Sequence, residues 1–169
     1  LKAKELGFKE ILYIDLDAHH CDAVQDHFVN DSDVQIISIH EKNKWPRTGK
    51  LEESKIKNLM NIPVPENFND TEMLFILNEL IIPYCKTLNP DITIIQAGTD
   101  SLKDDPQSKM ILTNSVYWHS ISVLKEISSK ILILGGGGYN PYITAKAWAG
   151  NWLVLNSKEK LLQSKMTNE

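Results

Sequence analysis

The sequence predicts an α/β protein, three-layer α/β/α around a mainly parallel sheet, and three observations carry that expectation. Short apolar runs rich in β-branched residues recur at Glu10 to Leu16, Val34 to His40, Asp91 to Ala97 and Lys130 to Leu134. Helical stretches separate them, so strand alternates with helix and the crossovers are expected to be right-handed. The runs are nearly continuously hydrophobic, where a half-exposed strand would alternate, so both faces of each strand are expected to be covered.

The elements follow in order. The first strand reads EILYIDL and leads into a helix that holds His27. The second, VQIISIH, runs into a polar loop from His40 to Gly49. Asn69 to Leu88 has apolar residues at helical spacing and opens with Asn69 and Glu72, a capping-box pair. Pro83 is expected to kink this helix, and Asn89-Pro90 to end it. After the third strand comes a helix over Asn114 to Ser128, and after the fourth a helix over Pro141 to Leu155, with Pro141 suited to a first turn. Trp118, Trp148 and Trp152 are read as packing residues of these helices, and the polar tail from Ser157 to Glu169 as a helix that frays.

Composition narrows the function. With 169 residues one core suffices, and 42% hydrophobic against 24% charged residues excludes a disordered chain. A net charge of -4 with scattered basic residues leaves no footprint for nucleic acid. No apolar run is long enough to span a bilayer. Cys21 and Cys85 are far apart and in no zinc-knuckle spacing, which favours a reducing cytoplasm over a disulfide framework. The chain opens on Leu1 and reaches a strong strand almost at once, so it is expected to begin inside a larger domain.

In open parallel sheets ligands gather beyond the carboxyl ends of strands, and the polar clusters of this sequence lie there. Asp15, Asp17 and His19 are two apart, so on extended backbone they share a side. An aspartate and a histidine so placed suit a borderline metal such as zinc. The plainer reading, that these charges only cap the next helix, fits a lone pair better than three Asp and two His within eight residues. Gly98-Thr99-Asp100 alone is a turn; beside Asp17 and His19, Asp100 becomes the third ligand, leaving positions open for water and substrate. Gly135 to Gly138 lack a phosphate-loop pattern, and Tyr139 after them could donate its O–H to a developing oxyanion. Trp45 reads equally as a channel wall or a loop anchor. Cys21 has no base arranged around it and is discounted as a nucleophile.

Four segments, YIDLDAHHCDAVQDHF, SIHEKNKWPRTG, QAGTDSLKDDP and LGGGGYNPYITAKAW, together resemble the zinc-dependent histone deacetylase superfamily, with its acetoin-utilisation and acetylpolyamine branches, over about Gly7 to Leu155. The resemblance implies an arginase/deacetylase-like fold, incomplete in this chain, and hydrolysis of an acetylated lysine or acetylated small amine. It implies that Asp17, His19 and Asp100 hold zinc or ferrous iron and that Tyr139 hydrogen-bonds the substrate carbonyl. Asp15 would support catalytic histidines and share a structural potassium site with Ser38 and Ile39. Asp22 would orient one of those histidines, and Trp45, Gly137 and Gly138 would line the acyl channel. Cys21 and Ala23 stand where the family pattern has glycines. The family's histidine pair lies upstream of the first metal motif, so residues 1–169 are expected to be the central to C-terminal part of a deacetylase domain, impaired alone. Two rivals remain: a two-metal, arginase-like ureohydrolase and a non-catalytic remnant acting as a binding module.

Overall fold

The computed structural model describes residues 2–163. In chain order the elements are α1 (Lys2–Glu5), β1 (Ile11–Asp15), α2 (Asp22–Phe28), β2 (Val34–Glu41), β3 (Leu59–Val64), α3 (Asp70–Ile76), α4 (Ile82–Leu88), β4 (Ile92–Gln96), α5 (Asn114–Leu124), β5 (Ile131–Leu134) and α6 (Pro141–Leu155). Short 3-10 turns stand at Leu51–Lys55 and Glu159–Gln163. All five strands are parallel, in the order β3-β2-β1-β4-β5. From β1 the chain builds outward to β2 and β3, then returns to place β4 on the other side of β1. Loops after β1 and β4 therefore diverge, and the crevice between them is the switch point where such sheets bind ligands.

Strand periodicity sorts the core into two faces. Leu12, Ile14, Ile37, Ile39 and Ile95 pack against α3 to α6 through Leu77, Ile81, Tyr117, Ile121 and Val154. Ile11, Tyr13, Ile36 and Ile94 face the other way, toward Ala3, Phe8, Val24 and Phe28 around the short α1 and α2. Helices thus lie on both faces, as the continuous hydrophobicity requires, but the second layer is thin. Leu132 and Leu134 on that side are 46% and 38% exposed, beside a groove of about 380 Å³.

Four details differ from the sequence expectation. Strand β3 was not foreseen, because Asn61 and Pro63 interrupt its apolar run; Pro63 is tolerated since β3 is an edge strand bonded only to β2. The capping box at Asn69 and Glu72 forms, but at Pro83 the helix widens into a π segment over Leu77–Ile81, which absorbs the proline, and Asn89 (φ 48) ends it. Trp152 is 66% exposed and is no packing residue, while Trp118 is half-buried and donates its Nε1–H to Ala147 O. Helix α5 stops at Leu124, and of the expected C-terminal helix, residues 164–169 lie outside the described residues. No described helix is long and apolar enough to cross a membrane.

Candidate metal centre

Strand β1 ends at Asp15, and the backbone beyond it is held by carboxylates. Asp15 Oδ1 accepts the N–H of Asp17 at 3.0 Å, and Asp17 Oδ1 accepts that of His19 at 2.9 Å. Asp100, from the loop after β4, accepts the N–H of Ala18 at 2.8 Å, and Asp17 Oδ2 accepts the N–H of Gly137 at 2.7 Å. Four backbone donors thus orient the carboxylates before any ligand arrives. One ligand atom each from Asp17, His19 and Asp100 lies within 4.8 Å of the others. His19 Nδ1 is 2.9 Å from both Asp17 Oδ1 and Asp100 Oδ2.

The close approach explains two glycines. A Cβ at Gly98 would collide with the Asp17 carboxylate, and one at Gly137 with the Asp100 carboxylate. At these positions the space a side chain would occupy already belongs to the ligand set.

The electrostatics of the cluster suit a cation. Asp100 is fully buried, and its Oδ2 has no well-aligned hydrogen-bond partner, although His19 Nδ1 lies 2.9 Å away. Burial raises the Asp100 pKa, with His19 opposing and the Asp17 charge adding. Burial would raise Asp17 also, but donors from His19 and Gly137 outweigh it and hold it below the usual carboxylate value. Asp100 and then Asp17 push His19 up to about 9, and burial followed by the Asp17 charge pushes Asp15 up to about 8. One imidazole thus faces a surplus of buried carboxylate charge. A divalent ion fits this donor set: it would satisfy the orphaned Asp100 oxygen and relieve the repulsion.

A cavity of about 330 Å³ opens over the cluster, lined by Tyr13, Asp15, His19, Trp45, Gln96 and Tyr139 among others. Tyr139 is 55% and Trp45 72% exposed, and Trp45 meets the His19 ring edge-on at 6.3 Å. Gly137, whose N–H reaches Asp17, and Gly138, at φ 140 beside Thr99 and Thr144, lead into Tyr139. Asp22 lines the cavity from the first turn of α2, its Oδ1 accepting the N–H of Ala23. Ser38 is the register partner of Asp15; its Oγ is 2.9 Å from His40 Nδ1, and Ile39 follows it within β2. Cys21 is buried, its thiol pushed up to about 12 by burial and the Asp15 charge, which suits an inert side chain.

Some participants were invisible in the sequence. His20 bonds Thr48 Oγ1 and Gln25 Oε1 through its two ring nitrogens, tying the Trp45 loop to the ligand loop. Asp105 is buried among backbone donors. An acid five residues past a ligand is a weak hint, and only the fold reveals that it turns inward.

Comparison with known proteins agrees with the geometry. The histone deacetylase domain model matches residues 1–155. A crystal structure of an HDAC homolog complexed with SAHA is 38% identical and superposes with a TM-score of 0.86 over 94% of this chain and 44% of that one. The HDAC homolog from Aquifex aeolicus is 36% identical, TM-score 0.84, over 96% and 48%. Histone deacetylase 14, chloroplastic, of Arabidopsis thaliana is 29% identical over 92% of this chain and 39% of its own length. The chain therefore spans less than half of each of these relatives. By the match of the family model over residues 1–155, the chain belongs to the histone deacetylase family.

Proposed function

We propose that residues 1–169 form the metal-holding, central to C-terminal part of a deacetylase domain that hydrolyses an N-acetyl amide to acetate and free amine. The observation that carries this reading is the convergence of Asp17, His19 and Asp100 at the switch point, with an orphaned carboxylate oxygen facing in. Zinc, or ferrous iron with the same ligands, would polarise the acetamide carbonyl and acidify its water.

The chain's own residues then have distinct tasks. Tyr139 donates its O–H to the carbonyl oxygen as charge develops there, a contact worth about 3 kcal/mol. Burial and the charges of Asp100 and Asp17 raise its pKa, which keeps it a protonated donor. Trp45, Gly137 and Gly138 flank the path of the acyl group. Asp15 fixes the ligand loop by accepting the Tyr13 O–H and the Asp17 N–H. A structural potassium ion would draw on Asp15, Ser38 and Ile39. The proton acceptor is the histidine pair that the family resemblance puts upstream of β1, with Asp22 orienting one of its members. His20 is no substitute, since both its nitrogens are engaged. The substrate is an acetylated lysine or acetylated small amine, and buried free cysteines favour a reducing compartment such as the cytoplasm.

A two-metal ureohydrolase is disfavoured by one feature: among the described residues one ligand group exists, and Asp105 is spent on backbone N–H groups. Zinc titration of the metal-stripped chain tests the reading. One zinc per chain is expected, with a raised melting temperature and acetyl-lysine hydrolysis near background. Two metals per chain, none, or turnover comparable to a full-length relative would refute it.

A further inference from the structure

Tyr139 ends a segment with almost no side chains to hold it, since Gly135 to Gly138 precede it. Its hydroxyl makes no hydrogen bond among the described residues, and over half of the residue is exposed. What directs such a side chain is the backbone beneath it. There Asp105, 5% exposed, accepts through Oδ2 the N–H of Tyr139 at 2.6 Å and that of Asn140 at 3.2 Å. Its Oδ1 accepts the N–H of Gln107 at 2.9 Å. The neighbouring Asp104, at φ 71, turns the chain so that its own side chain is exposed while Asp105 points inward. Asp104 O also accepts the Asn140 side-chain N–H at 3.3 Å. Among the described residues no ion pair engages Asp105, so its partners are these backbone donors. Asn140 in turn caps α6, accepting from the N–H groups of Tyr142 and Ile143.

We propose that Asp105 is a positioning residue that sets the direction of Tyr139 by binding the backbone N–H groups of Tyr139 and Asn140. The loop that supplies Asp100 thereby also aims the tyrosine, so ligand and carbonyl donor keep a fixed relation although they come from different strands. The catalytic consequence rests on the reading of Tyr139 given above; the clamp itself does not. Because both donors reach one oxygen, the carbonyl of an asparagine can replace it, at the cost of the Gln107 contact on the other oxygen, whereas alanine can replace neither.

Residue-resolved hydrogen exchange on the full, zinc-treated chain tests the clamp. In the wild-type chain the amides of Tyr139 and Asn140 exchange at least about tenfold below the unstructured rate. Asp105→Ala speeds both by about tenfold, and Asp105→Asn stays within about threefold of wild type. Zinc per chain is unchanged in both variants, since Asp105 is no ligand. Unprotected wild-type amides, or equal protection in Asp105→Ala, overturn the clamp, the first result without any variant having to fold. If Asp105→Ala loses protection while the wild-type chain binds no zinc, the clamp stands and the deacetylase reading alone fails.

Discussion

The ligand cluster and the aromatic rim above it occupy the same crevice but are held in opposite ways. Asp17 and Asp100 are buried and oriented by backbone N–H groups at strand ends, while Trp45 and Tyr139 are largely exposed, and their placement depends on loop backbone. Charge is costly to misplace in a low-dielectric site, so the fold spends its rigid positions on the carboxylates. Apolar and phenolic contacts tolerate more latitude and are left to loops. The difference teaches where tight control lies: at the buried carboxylate cluster, beneath a more adaptable mouth.

The sharpest way to break this contrast is at Asp100. Asp100→Asn keeps the acceptor for the Ala18 N–H but loses a ligand charge. Apportioning the roughly 10–16 kcal/mol of four-ligand zinc sites, zinc affinity should fall by about a hundredfold to several hundredfold, read by competition titration. The metal-free variant should melt no lower than wild type, because a buried like-charge contact disappears. A large drop in metal-free stability would show that the cluster holds the fold and is not poised for an ion.

Acid probes the loop side. His40 donates its Nε2–H to Gly49 O and pairs through Nδ1 with Ser38 Oγ beneath the Trp45 loop, and burial, then the charge of His20, pushes it down to about 4. Its folded pKa lies below the unfolded value, so the unfolded chain takes up the proton first. The contribution of His40 is therefore flat above about pH 6.5 and declines as pH falls toward 4, by up to about 3 kcal/mol. Urea midpoints at pH 7 and 4.5 should converge in His40→Asn relative to wild type; an unchanged pH slope would remove His40 from the account.

The mildest change is Trp45→Ala. With 72% of the residue exposed, stability should move by less than about 0.5 kcal/mol and zinc affinity by less than about twofold. A larger loss in either would mean that Trp45 anchors its loop and is not merely a wall.

Much of this was legible in the chain itself. The four strands around the switch point announced themselves because burial on both faces leaves continuous Ile, Leu and Val, and the candidate metal cluster because Asp17 and His19 sit two apart where β1 ends. Strand β3 was hidden, since an edge strand with one neighbour tolerates Asn61 and Pro63 and loses the pattern that betrays buried strands. Asp105 and His20 were hidden for another reason. Their importance lies in which loop backbone or side chain they touch across 28 to 35 positions, and no local spacing encodes that. The exposure of Trp152 on α6 likewise depends on which neighbours the fold supplies.

Gly98 and Gly137 carry no functional group, yet each stands where a single added methyl would strike a metal-facing carboxylate. In a survey of random variants scored for zinc retention they should therefore look as intolerant as the ligands themselves. A map of forbidden substitutions would then trace the outline of the proposed ion site from residues that supply no ligand to it.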